Sequence, residues 1–181
     1  MKYLKSFNES VNEGEILFTK DGILNNFLNK LNKKAPLMVN PIMRQEFIYD
    51  NKGSLEFSRF DKKDRNEITL QDIAVFDKGR GIGKSIMKDI VDVADELGTK
   101  LTLTAKPFGN DPKSLKKKEL IDFYKKFGFV IDMNNFGGEF KTEEALLKYV
   151  LKYPEEGLDM YRIPKTKLKL GGEFKEIKIK K

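Results

Sequence analysis

Eight residues, Lys78-Gly79-Arg80-Gly81-Ile82-Gly83-Lys84-Ser85, restrict the architecture of this chain more than any other stretch. They follow an extended segment, Glu67 to Val75, whose Ile68, Leu70, Ile73 and Val75 supply β-forming side chains, and they run directly into a helical pattern. The three glycines stand at alternate positions. Without a Cβ, the backbone there turns sharply and approaches a ligand closely. The helix that opens at Gly81 aims its free N–H groups and positive dipole end into the turn, so the stretch is a strand-loop-helix cradle suited to phosphate.

Spacing separates the three phosphate loops it could be. A Walker A loop, G-x-x-x-x-G-K-S/T, matches Gly83-Lys84-Ser85 but needs a glycine where Lys78 stands. A dinucleotide fingerprint, G-x-G-x-x-G, beginning at Gly79 and Gly81 needs a glycine where Lys84 stands. The pattern Q/R-x-x-G-x-G/A reads Lys78-Gly79-Arg80-Gly81-Ile82-Gly83, with lysine in place of the usual first residue.

Other residue types narrow the chemistry. The 181 residues contain neither cysteine nor histidine, which removes thiolate chemistry, Ser-His-Asp catalysis and the commonest metal ligand. Acid–base work falls to Glu, Asp, Tyr, Lys or water. With 39% hydrophobic and 35% charged residues, the composition is that of one globular domain. No apolar run approaches the ~18 residues of a membrane span, and Met1 to Ser10 lacks a signal-peptide core. The expected location is cytoplasmic. Of the net charge of +7, the stretch Lys165 to Lys181 supplies five, through seven lysines against Glu173 and Glu176. The excess is therefore a basic extension rather than a basic groove, and nucleic-acid binding is expected only through that tail, if at all.

In order, the chain reads as a first strand around Ile16-Leu17-Phe18, a helix capped by Asp21 with Ile23, Leu24, Phe27, Leu28 and Leu31 on one face, and a loop from Pro36 to Pro41. Gln45 to Tyr49 and Ser54 to Phe60 form a hairpin about Asp50-Asn51-Lys52-Gly53. After the strand Glu67 to Val75 comes the helix Gly81 to Leu97, closed by Gly98, then the strand Leu101 to Ala105. A helix spans Leu115 to Phe127, ended by Gly128, and Phe129 to Ile131 starts a strand. Residues 134–157 read as an insert with a helix Thr142 to Lys152. Leu158 to Ile163 is the last core strand, and Lys167 to Leu170 with Glu173 to Lys180 is an exposed hairpin or a tail. Residues 1–13 are a leader, 14–164 the domain and 165–181 the basic extension.

Three motifs in order resemble the GNAT family of N-acetyltransferases: the loop Lys78 to Gly83, Phe123-Tyr124-Lys125-Lys126-Phe127-Gly128-Phe129, which resembles L/F-Y-x-K-x-G-F, and Met160-Tyr161-Arg162, which resembles the family's closing strand. The start, Met-Lys-Tyr-Leu-Lys-Ser-Phe-Asn-Glu, resembles leaders of tailed-bacteriophage proteins. The family resemblance implies an α/β fold with a mixed, mostly antiparallel central sheet flanked by helices and splayed at the strand before the loop. It implies acetyl-CoA as co-substrate, no metal, and transfer of the acetyl group to a primary amine by direct attack in a ternary complex. Ile73, Ala74 and Val75 would bind the pantetheine arm through their backbone. The loop Lys78, Gly79, Arg80, Gly81, Ile82, Gly83, Lys84 and Ser85 would hold the pyrophosphate.

An ammonium acceptor with a pKa of ~10.4 must lose a proton before it attacks. Glu67, eleven residues before Lys78, stands where histone-acetyltransferase-like members place a glutamate base. The resemblance makes Tyr124 the residue that protonates or hydrogen-bonds the leaving sulfur. Strict alternation puts Asp72 on the strand face opposite Glu67, so only one of them can serve the site. Lys113, Lys116, Lys117 and Lys118 read as a solvated helix start. The acceptor is a small-molecule or protein amine, without a membrane partner, and the protein is a monomer or homodimer. A P-loop nucleotide hydrolase or kinase and a non-catalytic domain that binds acyl-CoA or a partner are the alternatives.

Overall fold

The computed structural model describes residues 16–40, 42, 46–59, 66–107, 115–136, 138–153 and 155–165, and the backbone of 167–170 and 173–176. Its centre is a seven-stranded sheet in the order β1-β2-β3-β4-β5-β7-β6, built from β1 (Leu37–Val39), β2 (Glu46–Tyr49), β3 (Gly53–Ser58), β4 (Glu67–Val75), β5 (Lys100–Ala105), β6 (Val130–Ile131) and β7 (Leu158–Arg162). Every strand pair is antiparallel except β4–β5. Four helices accompany it: α1 (Gly22–Asn32), α2 (Ile82–Leu97), α3 (Lys117–Lys126) and α4 (Glu143–Lys152). The fold is thus mixed α/β with a mostly antiparallel sheet flanked by helices. A separate backbone hairpin joins β8 (Lys167–Leu170) to β9 (Glu173–Glu176).

One face of the sheet carries a large part of the core. Phe47, Tyr49, Leu55, Phe57, Ile68, Leu70, Leu101, Leu103 and Met160 are all buried. Phe27 of α1 packs edge-on against Phe57, and the Tyr49 hydroxyl donates to Asp89 of α2 at 2.7 Å, so both helices lie on this face. Asp21 caps α1 by accepting from the Leu24 N–H at 2.9 Å, and Leu24, Phe27, Leu28 and Leu31 point inward as their spacing predicts. The hairpin turn forms because Asp50 and Asn51 adopt φ of 48° and 52°, values that short polar residues tolerate.

Three elements differ from the sequence reading. Ile16 to Phe18 form no strand: the Ile16 backbone pairs with both ends of the Asn29 amide, and the Phe18 N–H donates to Asn25 Oδ1 at 2.8 Å. Helix side chains take the place of a strand partner. The Pro36–Pro41 interval holds β1, an edge strand, where the flanking proline costs no ladder bond. In β4, Glu56 pairs with Asp72 while the next β3 residue, Phe57, pairs with Leu70. Gln71 is therefore an extra residue, a β-bulge that breaks the alternation. Leu70 shares the buried face of Phe57, whereas Asp72 shares the face of Glu56, the face that also carries Glu67 and Thr69. The expectation that Asp72 and Glu67 lie on opposite faces fails for this reason.

Candidate active site

The parallel pairing of β4 with β5 covers only Glu67 to Leu70 against Lys100 to Leu103. Beyond it β4 continues beside β3 to Val75, while β5 continues beside β7 to Ala105. The two strands part, and the β5-facing backbone edge of 71–75 has no strand partner. A cavity of about 510 Å³ occupies this gap. Its near wall is Leu70 to Val75, its far wall Leu103, Thr104, Lys106 and Pro107, and its end the loop Lys78, Gly79, Gly81, Ile82, Gly83 and Lys84. Leu115, Leu120, Phe123 and Tyr124 complete the lining.

The loop has the conformation its glycines allow. Gly79 and Gly81 adopt φ of 91° and 73°, and Gly81 is the N-cap of α2 without a side-chain cap. The first-turn N–H groups of a 16-residue helix therefore lack a side-chain acceptor from the cap and stand at the cavity end. No acidic residue occupies that first turn. Arg80 turns the other way: it pairs with Asp77 at 3.2 Å and, with Ser85, lines a neighbouring hollow beside Lys34 and Lys52.

Tyr124 is buried, with its ring edge-on to Phe123 and Phe129. Desolvation, with a smaller contribution from the Asp72 carboxylate, pushes its hydroxyl up to about 12. It is therefore protonated at neutral pH. Asp72 is also displaced upward, first by burial and then by Glu56 and Glu46 beside it on the same sheet face.

The structure thus brings together Ile73, Ala74, Val75, Lys78, Gly79, Gly81, Ile82, Gly83, Lys84 and Tyr124. Arg80 and Ser85 lie around the corner of the loop. Glu67 stays outside the cavity lining, at the closed end of the β4–β5 seam, where its carboxylate accepts from Lys100 Nζ at 3.0 Å. Lys116 and Lys118 are exposed as expected, but Lys117 is buried. Its ammonium donates to the carbonyls of Val150, Tyr153 and Glu156 at 2.9, 2.7 and 2.6 Å. It caps the C-terminal end of α4, a role that no local sequence signal marks. Lys113 lies outside the described residues. Asp72 is the titratable residue that counting along the strand misplaced, because nothing in the sequence announces the bulge.

Fold and cleft together define a mixed α/β domain whose central sheet opens beside a glycine-rich loop at the start of a helix. Among known structures the chain is similar to the anti-CRISPR protein AcrVA5 (22% identity, TM-score 0.40, covering 61% of this chain and 90% of that one). It is also similar to nourseothricin acetyltransferase (22%, TM-score 0.37, covering 65% and 62%). A third is the N-acetylglutamate synthase of Neisseria gonorrhoeae, solved with coenzyme A and N-acetyl-glutamate (14%, TM-score 0.40, covering 78% and 32%). The chain spans less than two thirds of the second of these and about a third of the last. No family model and no curated protein matches the sequence.

Proposed function

We propose that this protein is an N-acetyltransferase that passes an acetyl group from acetyl-CoA directly to a primary amine. The observation that carries the reading is the parting of β4 from β5 immediately before the loop. An unpaired strand edge at 71–75 leads into the positive-φ glycines and the start of α2. Acetyl-CoA presents a thioester, a peptide-like arm and a pyrophosphate in that order along a line. The strand edge at Ile73 to Val75 matches the arm's amides, and the N–H groups from Gly81 onward with Lys78 and Lys84 match the pyrophosphate. The thioester supplies an activated acyl carbon and a sulfur leaving group. Tyr124, protonated and part of the cavity lining, offers that sulfur a hydrogen bond.

Among the described residues no group of three or more acidic side chains is placed to hold a metal ion, and no helix is long and apolar enough to cross a membrane. A nucleotide hydrolase would require Mg-ATP to bind the same loop. Calorimetric titration with acetyl-CoA and, separately, Mg-ATP tests the reading: micromolar binding of acetyl-CoA alone is expected. Binding of ATP alone, or of neither, overturns it. The acceptor class, the cytoplasmic location and the role of residues 165–181 are part of the same proposal. A salt-dependent nucleic-acid affinity lost on deleting 165–181 would reassign that tail.

A further inference from the structure

We infer that Asp72 is the group that takes the acceptor's proton, and that Glu67 has no part in the reaction. This rests on the acetyl-transfer reading, and it follows from the bulge at Gln71. In an unbroken strand Asp72 would follow the face of Leu70 and Ile68, among the buried core side chains under α1 and α2. The extra residue turns it to the face of Glu56, and it lines the cleft together with Tyr124. Gln71 is held in its bulged position by its amide, which donates to Ser58 Oγ at 2.6 Å. The carboxylate therefore sits on the wall formed by the unpaired edge 71–75. That edge is where the acyl carbon of a bound thioester would lie. Glu67 stands at the other end of the seam, outside the cavity and committed to Lys100.

The groups around Asp72 decide what it does. From β3 and β2 it faces Glu56 and Glu46, from α3 it faces Tyr124, across the cleft stands Lys106, and at the end of the cleft stand Lys78 and Lys84. Among the described residues no lysine or arginine forms an ion pair with it. Burial, with the two glutamates, makes its charged form costly and together they outweigh the Ile73 N–H that the carboxylate accepts, so the net displacement is upward, toward the working pH, and favours taking up a proton. A carboxylate in this setting also attracts the cationic form in which an alkyl amine arrives.

Asp72 takes one proton from the ammonium, and the freed lone pair bonds to the carbonyl carbon of the thioester. The carbon–sulfur bond breaks, and the sulfur leaves as a thiolate accepting the Tyr124 hydrogen bond. The second proton released by the nitrogen reaches that sulfur through water, and Asp72 returns its own proton to solvent. The products are the amide and the free thiol.

The test compares wild type, Asp72→Asn and Glu67→Gln with acetyl-CoA and four nucleophiles: spermidine, a lysine-bearing peptide, kanamycin and hydroxylamine. The first three offer protonated amines at pH 7.5, and hydroxylamine is already neutral. With the best amine, kcat/KM for Asp72→Asn should fall by about 100-fold or more, while transfer to hydroxylamine stays within about threefold of wild type. Glu67→Gln should keep both. In wild type, over the pH range in which hydroxylamine stays neutral, kcat/KM should fall with falling pH for the amine and stay flat for hydroxylamine, a readout that needs no variant to fold. Equal losses with both kinds of nucleophile, or a loss confined to Glu67→Gln, would overturn the assignment. Calorimetric acetyl-CoA binding separates the two levels of inference. Loss of binding in wild type, or no transfer to any nucleophile, removes the acetyltransferase reading itself. Intact binding with an unchanged amine rate in Asp72→Asn removes only the role of Asp72.

Discussion

Arg162 and Asp95 form a two-pronged ion pair, Nη1 to Oδ1 and Nη2 to Oδ2 both at 2.7 Å, that ties the last core strand to α2. Arg162 is 2% exposed, and its Nε also donates to the Phe127 carbonyl at 2.8 Å, so one side chain fastens β7, α2 and the end of α3. The Lys165 N–H completes the Asp95 carboxylate at 2.6 Å. Removing one partner leaves a buried charge uncompensated. Asp95→Ala should cost about 3–5 kcal/mol in urea unfolding, and replacing both residues by apolar ones should cost less than the single change.

Asp21 caps α1 and accepts from Arg59 Nη1 at 2.9 Å. Burial opposes its ionisation, but the Leu24 N–H and Arg59 outweigh it and hold the carboxyl below its usual value. A depressed acid stabilises the fold above its unfolded value, and that contribution is lost as pH falls through the folded one. Asp21→Ala should cost about 1 kcal/mol at pH 7, and the gap from wild type should narrow as the solution is taken below pH ~4.

Gly81 occupies φ of 73° with open space where a Cβ would stand. Alanine there is limited by backbone strain, about 1–2 kcal/mol, and not by a clash. Gly81→Ala should weaken acetyl-CoA binding by roughly 10-fold in calorimetry while leaving the circular dichroism spectrum intact.

Tyr124→Phe keeps the ring packing against Phe123 and Phe129 and deletes the donor. We expect kcat to fall by about 10- to 100-fold with acetyl-CoA affinity unchanged, the mark of an interaction strengthened in the transition state. An unchanged kcat would remove Tyr124 from the chemistry.

Lys117→Met fills similar space but strands the carbonyls of Val150, Tyr153 and Glu156. It should cost roughly 1–3 kcal/mol and raise hydrogen exchange first in α4.

The site was legible where residue type alone fixes backbone geometry. Alternate glycines between a β-forming run and an amphipathic run announced the loop, and Asp50-Asn51 announced the hairpin turn. The β4 boundaries, Glu67 and Val75, were read correctly from the apolar pattern. Illegible were features set by partners distant in sequence. The bulge at Gln71 exists only relative to Phe57 and Glu56, so side-chain alternation counted along β4 misplaced Asp72. Lys117 looked like one cation in a solvated cluster because its three acceptors lie more than thirty residues away. Ile16 to Phe18 resembled a strand, yet the amides of Asn25 and Asn29 satisfy its backbone groups in place of a ladder.

The short parallel contact between β4 and β5 makes the sheet two antiparallel plates, β1 to β4 and β5 with β7 and β6, joined along only four residue pairs. The Glu67–Lys100 ion pair and the Thr69–Thr102 hydroxyl contact at 2.8 Å lie across that seam like stitches. A molecule lodged in the opening would touch both plates and so act as a splint across the line where they part. Occupancy of the cleft and mechanical integrity of the domain are then one property, and ligand loss would be felt first as slackening between the plates.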